Sequence, residues 1–294
     1  MRLNSVLVTG ANGQLGQCLK DVAPLFPNYN FIFTSRSSLD ITSTKQIEAV
    51  FKTHQPKFCI NCAAYTMVDK AEEEEDLANQ INHLAVAKLG DICKQYASKL
   101  IHISTDYVFN GKAKLPYRTT EEIQPIGSYG RSKAFGEQYL IDKNIPSIII
   151  RTAWVYSEYE KNFFKTMHQL GGEKDELNVV DDQIGSPTYA RDLAYAILQI
   201  LDQVKTDNQS EVLHYANAGK ISWFNFAEAI MEIGNLDCKI NPIPTTAYPT
   251  LAKRPAYSVL STEKMVKQFG ISIPFWKHSL VKCFKNYELL NKAS

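Results

Sequence analysis

No sign of charge dominates this chain. Its 294 residues carry 32 lysines and arginines against 31 aspartates and glutamates, a formal net charge of +1. That balance argues against nonspecific attachment to nucleic acid or to an anionic membrane surface, which usually leaves a large one-sided charge. Any polyanion must therefore be held by a local site. Long apolar runs are missing too: no stretch approaches the roughly 18 residues of a membrane span, and Met1-Arg2-Leu3-Asn4 lacks the apolar core of a secretory signal. The expected compartment is the cytoplasm. The six cysteines, Cys18, Cys59, Cys62, Cys93, Cys238 and Cys283, are too sparse for a disulfide scaffold. Cys59 and Cys62 form a CxxC, but the motif has no second half, and positions three apart on a strand face opposite ways. Neither a metal nor a redox pair is expected there.

What is present is ordinary globular material, 45% hydrophobic and 21% charged, long enough for two domains of about 150 residues. The first half alternates between two periods. β-rich runs at Ser5 to Thr9, Asn30 to Thr34, Phe58 to Cys62, Leu100 to Ser104 and Ser147 to Arg151 are separated by helix-period stretches at Gln14 to Ala23, Ser43 to Thr53, Asp76 to Ala97 and Tyr129 to Asp142. Ser43 followed by Gln46 is a capping-box pattern. The alternation predicts an α/β fold, a Rossmann-type doubly wound parallel sheet with helices on both faces. Beyond Arg151 the rhythm loosens. A strand is expected at Asn178 to Val180, helices at Tyr189 to Leu201 and Trp223 to Ile233, and a surface loop at Lys205 to Ser210. The four prolines between Asn241 and Pro255 argue against regular structure there. The expected division is a nucleotide-binding domain over residues 1–152, with segments near 176–218 returning to it, and a smaller substrate-binding lobe from 153–175 and 219–294.

Val6-Leu7-Val8-Thr9 runs straight into Gly10-Ala11-Asn12-Gly13-Gln14-Leu15-Gly16 and then a helix. One glycine permits the tight turn, the next lets the backbone approach a pyrophosphate, and the third lets helix pack close to strand, with free helix N-terminal amides facing the phosphates. The GxxGxxG spacing is weak alone and much stronger in this position, after the first strand of a β/α alternation. At the end of the second strand, Phe33-Thr34-Ser35-Arg36-Ser37 offers no acid for an adenosine ribose; Arg36 suits a 2′-phosphate instead. NADPH is therefore expected over NADH, which stays the alternative, with Asp40 and Ile41 near the adenine edge.

Reduction of a carbonyl also needs a proton source. A tyrosine serves if a lysine one helical turn on, at i+4, supports its phenolate. Tyr129 with Lys133 fits this pattern, and so does Tyr139 with Lys143. Tyr129 opens its helix directly after a long loop. Tyr139 lies about 80° of rotation away from that face and is expected to be a surface or packing residue. Strand four ends at Thr105-Asp106 and strand five at Thr152-Ala153-Trp154, where the side chains of a parallel sheet line the ligand crevice. Thr105 is placed to hydrogen-bond a substrate carbonyl or the tyrosine, Asp106 to accept from sugar hydroxyls, and Trp154 to stack on a sugar or base ring.

Taken together, Val8 to Gly16, Asn61-Cys62-Ala63-Ala64-Tyr65-Thr66, Ser104 to Phe109, Tyr129-Gly130-Arg131-Ser132-Lys133, Arg151 to Tyr156, Asp182 to Thr188, Ser222-Trp223 and Arg254 to Ser258 resemble the dTDP-4-dehydrorhamnose reductases. These are extended short-chain dehydrogenase/reductases, and the likeness spans nearly the whole chain. It implies reduction by NAD(P)H of a 4-keto-6-deoxy sugar nucleotide to dTDP-L-rhamnose. Tyr129 would give its proton to the C4 oxygen, while Lys133 lowers its pKa and holds the nicotinamide ribose and Thr105 tunes the hydrogen bonding. Asp106 and Trp154 would contact the sugar and Arg254 the substrate diphosphate, with Ala63, Ala64 and Tyr65 flanking the cofactor. Some members of the family are described as magnesium-linked dimers, so a homodimer is open. The acidic run Glu72 to Asp76 is nevertheless read as a solvated helix start, and no metal is assigned. Two other functions remain compatible with the motifs: a cofactor-binding regulatory subunit, like the β-subunit of methionine adenosyltransferase, and an epimerase or dehydratase of the same superfamily. The intact Thr105, Tyr129 and Lys133 set favours catalysis over the first. Asp106 followed by Tyr107, where dehydratases usually place an acid pair, disfavours the second.

Overall fold

The computed structural model describes residues 3–204 and 209–293, so most of the loop expected at Lys205 to Ser210 lies outside the described residues. Six parallel strands form the central sheet: β1 (Asn4–Thr9), β2 (Tyr29–Phe33), β3 (Phe58–Asn61), β4 (Lys99–Thr105), β5 (Ser147–Thr152) and β6 (Ser210–His214), in the order β6-β5-β4-β3-β1-β2. Alternate residues of each strand serve opposite faces. Val6, Val8, Ile60, Ile101, Ile148 and Ile150 pack on Leu15 and Leu19 of the helix Gln14–Val22 and on Leu193 and Ile197 of the helix Ala190–Ile200. Leu7, Cys59, Leu100 and Ile149 pack on Ile47, Phe51, Val86, Leu89 and Leu140 from the other side. Burial on both faces explains why these strands read as apolar runs. Cys59 and Cys62 accordingly lie against different faces. No helix among the described residues is long and apolar enough to cross a membrane.

The helix Thr44–His54 shows how local sequence sets an element. Ser43 caps it by accepting from the Gln46 amide at 3.4 Å, and Gln55 ends it in the left-handed region. The Gln46 side chain accepts from the Asp40 amide instead of from Ser43, so only half of the expected capping box forms. Its core face consists of Ile47 and Phe51, both fully buried, each contributing on the order of 1.5–3 kcal/mol of transfer free energy.

Three departures from the sequence reading bear on the site. The helix expected from Asp76 to Ala97 is α-helical at Glu75–Asn79 and Ala85–Gln95, with a π-turn at Gln80–Leu84 between them. Pro242 sits inside a strand: Lys239–Ile243 pairs in parallel with Glu176–Val180. A proline is tolerated there because the sheet has two strands and both are edges. That pair also lies outside the central sheet, so the chain's return to the sheet begins with the helix Ala190–Ile200 and ends with β6, which pairs with β5. A separate aromatic cluster, with Tyr156, Phe164, Tyr189, Phe226, Trp276 and Phe284, packs outside the central sheet.

Candidate active site

The glycine turn is built by close approach. Gly10 has φ +67°, and a Cβ there would lie 2.6 Å from the Ala63 amide nitrogen; a Cβ on Gly16 would lie 2.4 Å from the Gly10 carbonyl oxygen. Gly13 is the N-cap of the helix Gln14–Val22 and leaves its first amides without a side-chain cap. Those amides and the close backbone suit a pyrophosphate. Beside them runs a cleft of about 360 Å³ lined by Gly10, Asn12, Gly13, Arg36, Asp40 and Ile41, with Ala63 and Ala64 opposite. Ser35, Ser37, Leu39, Cys62 and Ile81 complete it. Asp40 is held below the ordinary carboxylate range by hydrogen bonds from the Thr42 amide and hydroxyl, and Arg36 lowers it further.

Six residues expected in the cofactor set stand outside the cleft wall: Tyr129 and Lys133, described below, and four others. The Gln14 side chain accepts from Ser157 and Asn162, Leu15 is in the core, and Gly16 is a packing glycine. Tyr65 is buried, with its hydroxyl donating to Glu74 at 2.6 Å. Tyr65 is instead fixed through its backbone. Asn82, 1% exposed on the π-turn, accepts from the Tyr65 amide and donates to its carbonyl, both at 2.9 Å, and donates to Ser132. Sequence reasoning passed over Asn82; its one signal is an amide side chain amid the apolar positions of Ile81 to Val86.

The helix Ser128–Asp142 carries Tyr129 and Lys133. Its N-cap, Gly127, provides no side-chain cap. The cap comes from the acidic run: Glu72 accepts from the Ser128 amide and hydroxyl, both at 2.8 Å, and Glu75 accepts from the same hydroxyl and pairs with Arg131. This corrects the solvated reading of that run for Glu72 and Glu74, which are half-buried, while Glu73, Glu75 and Asp76 are exposed. The other end of the helix is tied to the sheet by the buried pair Glu137–Arg151 at 2.6 Å, with Ser104 also donating to Glu137. Tyr139 donates to Asp91 at 2.8 Å and Lys143 is the helix C-cap, so the second tyrosine–lysine pair is structural.

The Tyr129 phenol is pushed up to about 12, chiefly by burial and in smaller part by the Asp106 carboxylate, against the pull of its hydrogen bond with Thr105. Lys133 is 2% exposed and donates to the Ile103 carbonyl at 2.6 Å; burial lowers its pKa to about 8. Sequence reasoning gave Lys133 the part of lowering the tyrosine. In this geometry the hydrogen bond that lowers the phenol comes from Thr105, and the Lys133 ammonium is anchored on the Ile103 carbonyl. Asp106, also 2% exposed, is raised by burial to about 6 despite hydrogen bonds from Ser258 and Thr105. Its Oδ2 has no partner, and neither has the Thr152 hydroxyl across the strand pair. Buried unpartnered oxygens at the carboxyl ends of β4 and β5 are what a polyhydroxylated ligand would satisfy.

Arg254 reaches this region with its charge already paired, Nη2 lying 2.6 Å from Asp69. Its segment also brings Ser258 to Asp106. Trp154 adopts φ +49°, a left-handed conformation that costs a bulky residue of order 1 kcal/mol or more. The indole lies over Gly185, where a Cβ would meet the ring at 2.5 Å, and stacks on Trp223 at 3.5 Å between centroids. One face of Trp154 is therefore taken by the protein.

A doubly wound sheet with a glycine turn after β1 and a threonine, tyrosine and lysine gathered at the end of β4 defines a Rossmann-type short-chain dehydrogenase/reductase. Residues 4–289 match the family model described as the RmlD substrate binding domain. The chain belongs to that family. A dTDP-4-dehydrorhamnose reductase from Aggregatibacter actinomycetemcomitans is 38% identical over 284 residues, covering 94% of this chain and 96% of that protein. The crystal structure of a dTDP-4-dehydrorhamnose reductase from Bacillus anthracis in complex with NADP matches with a TM-score of 0.91 at 37% identity, over 97% of this chain and all of that one. The UDP-glucose 4-epimerase of Thermus thermophilus matches over 97% of this chain and 99% of its own, with a TM-score of 0.82 at 18% identity, a likeness of fold alone.

Proposed function

We propose that the protein reduces the C4 ketone of dTDP-4-dehydro-6-deoxy-L-mannose to dTDP-L-rhamnose with NADPH. The observation that carries the reading is the gathering of buried Thr105, Asp106 and Lys133 with half-buried Tyr129 at the end of β4, beside the cleft that begins at Gly10. Gly10, Asn12 and Gly13 would hold the cofactor's pyrophosphate, Arg36 its 2′-phosphate, and Asp40, Ile41, Ala63 and Ala64 its adenine and nicotinamide ends. Reduced nicotinamide supplies the hydride that forms the new C–H bond at C4. Tyr129 gives the C4 oxygen its proton, and its raised pKa keeps it in the acid form at neutral pH. Thr105 stabilises the phenolate left behind. Asp106 accepts from sugar hydroxyls through its open Oδ2. Arg254, steadied by Asp69, faces the substrate diphosphate, and Trp154 with Trp223 forms the aromatic wall.

In the same reading, residues 1–152 hold the cofactor and the smaller lobe the sugar nucleotide. The chain works in the cytoplasm, where sugar nucleotides are made. Purified protein given NADPH and the 4-keto-6-deoxy sugar nucleotide should consume reduced nicotinamide and yield the rhamnosyl nucleotide. Full cofactor binding without turnover would sink the reductase reading and favour the regulatory one.

A further inference from the structure

Beneath Lys133 lies a row of polar side chains that the mechanism above does not use. Thr9, Asn61 and His102 are direct cross-strand partners on β1, β3 and β4. All point to one face of the sheet, and their exposures are 1%, 1% and 0%. The Thr9 hydroxyl donates to Asn61 Oδ1 at 2.6 Å, Asn61 Nδ2 lies 3.2 Å from His102 Nδ1, and His102 Nε2 faces Lys133 Nζ at 3.5 Å. The next residue in register, Ile149, is apolar and ends the row.

Each link fixes the next. Because the hydroxyl proton of Thr9 goes to Oδ1, the Asn61 amide presents its NH2 to the imidazole. His102 Nδ1 must then accept, and the ring's single proton resides on Nε2. Resting on the reductase reading of Tyr129 and Lys133, we propose that His102 is a positioning residue. The Thr9–Asn61 pair sets its tautomer, so that an imidazole N–H points at Lys133 and favours the amine of that lysine over its ammonium. Lys133 can then release a proton to replace the one Tyr129 gives to the carbonyl oxygen: an N–H bond breaks, the phenol O–H re-forms, and the lone pair left on Nζ accepts from Nε2–H. The charged and titratable groups facing the lysine fit this assignment. Glu137 and the Cys62 thiol favour the charged form, the Ile103 carbonyl takes one donor, and burial opposes the charge. Burial and the lysine together keep His102 neutral.

The tautomer is read directly by two-bond proton–nitrogen correlation spectra of ¹⁵N-labelled wild-type protein without substrate, with His102→Gln identifying the resonance. A neutral Nε2–H ring across the neutral pH range is expected. An Nδ1–H ring or an imidazolium would overturn the proposal, whether or not the protein turns over any sugar nucleotide. The second arm is Asn61→Asp, whose carboxylate would take the Nδ1 proton and turn Nε2 into an acceptor. The alkaline limb of kcat should then move up by about one pH unit. A lower kcat with the limb unmoved would mean that the row only supports the fold, and would also overturn the proposal. Should Asn61→Asp not fold, the spectra of the wild-type chain still decide.

Discussion

The helix that presents Tyr129 depends on a cap borrowed from elsewhere in the chain, and Gly127 is what lets the cap approach. A Cβ at Gly127 would stand 2.8 Å from Glu72 Oε1, while its own backbone, φ −139° and ψ 167°, accommodates any side chain. Gly127→Ala should therefore act by displacing the Glu72 carboxylate, and Glu72→Gln by removing its charge and one acceptor. Loss of an N-cap costs about 1 kcal/mol, and a carboxylate at a helix N-terminus adds about 0.3–1 kcal/mol. Glu72 is partly exposed, which argues for the lower part of the sum. Each variant should lose roughly 1–1.5 kcal/mol, a fall in Tm of about 2 °C for a chain of this size. Tyr129 is the second residue of that helix, and misplacement by about 1 Å can cost up to 10²-fold in rate. kcat should drop about tenfold or more while NADPH affinity, set at Gly10 and Arg36, stays within about twofold. Both variants act on one contact, so the double variant should fall no further than the worse single one. Thermal melts and steady-state kinetics on the four proteins complete the cycle. Additive losses, or a Glu72→Gln protein with wild-type Tm and turnover, would refute the cap.

Other perturbations separate the remaining parts. Tyr129→Phe should cut turnover by about 10²–10⁴-fold and leave NADPH titration unchanged; near-normal turnover would move the acid elsewhere. Arg36→Ala should weaken NADPH by about 10–100-fold, the value of a charge-assisted bond, with NADH nearly unaffected, and an equal loss for both would place Arg36 away from the 2′-phosphate. Asp106 is raised to about 6 from an ordinary 3.8, so its ionisation costs folding stability that is absent below about pH 4 and complete above about pH 6. Asp106→Asn should melt higher than wild type at pH 7.5, lose that advantage on acidification, and raise KM for the sugar nucleotide. A constant difference in Tm across pH would show that Asp106 ionisation is not what burial penalises.

The parts of the site legible in the sequence are those written locally. Gly10, Gly13 and Gly16 sit at fixed spacing beside a strand, and Tyr129 and Lys133 share a helix face. The parts that stayed hidden depend on long-range pairing. Glu72 caps a helix 56 residues away, and a local reading of an acid run can see only solvent. The row Thr9, Asn61, His102 exists only once β1, β3 and β4 are in register, since its members are 52 and 41 residues apart. Pro242 argued against a strand because a single sequence does not say that the strand is an edge. Tyr65 lies beside the expected cofactor residues in the chain, yet Asn82 turns its backbone so that the ring packs inward.

The order of strands in the sheet also constrains how the molecule can be made. β5 carries the apolar run Ile148-Ile149-Ile150 and is covered on one edge by β4 and on the other by β6, which arrives some 60 residues later. During synthesis the first 152 residues can complete the glycine turn, the tyrosine helix and five strands, but they leave β5 as an open apolar edge, the kind that recruits other chains. Until Ser210–His214 has emerged, the nascent chain carries Thr105, Tyr129 and Lys133 and an adhesive flank at once. Any truncation ahead of β6 should therefore be limited by solubility before it is limited by chemistry.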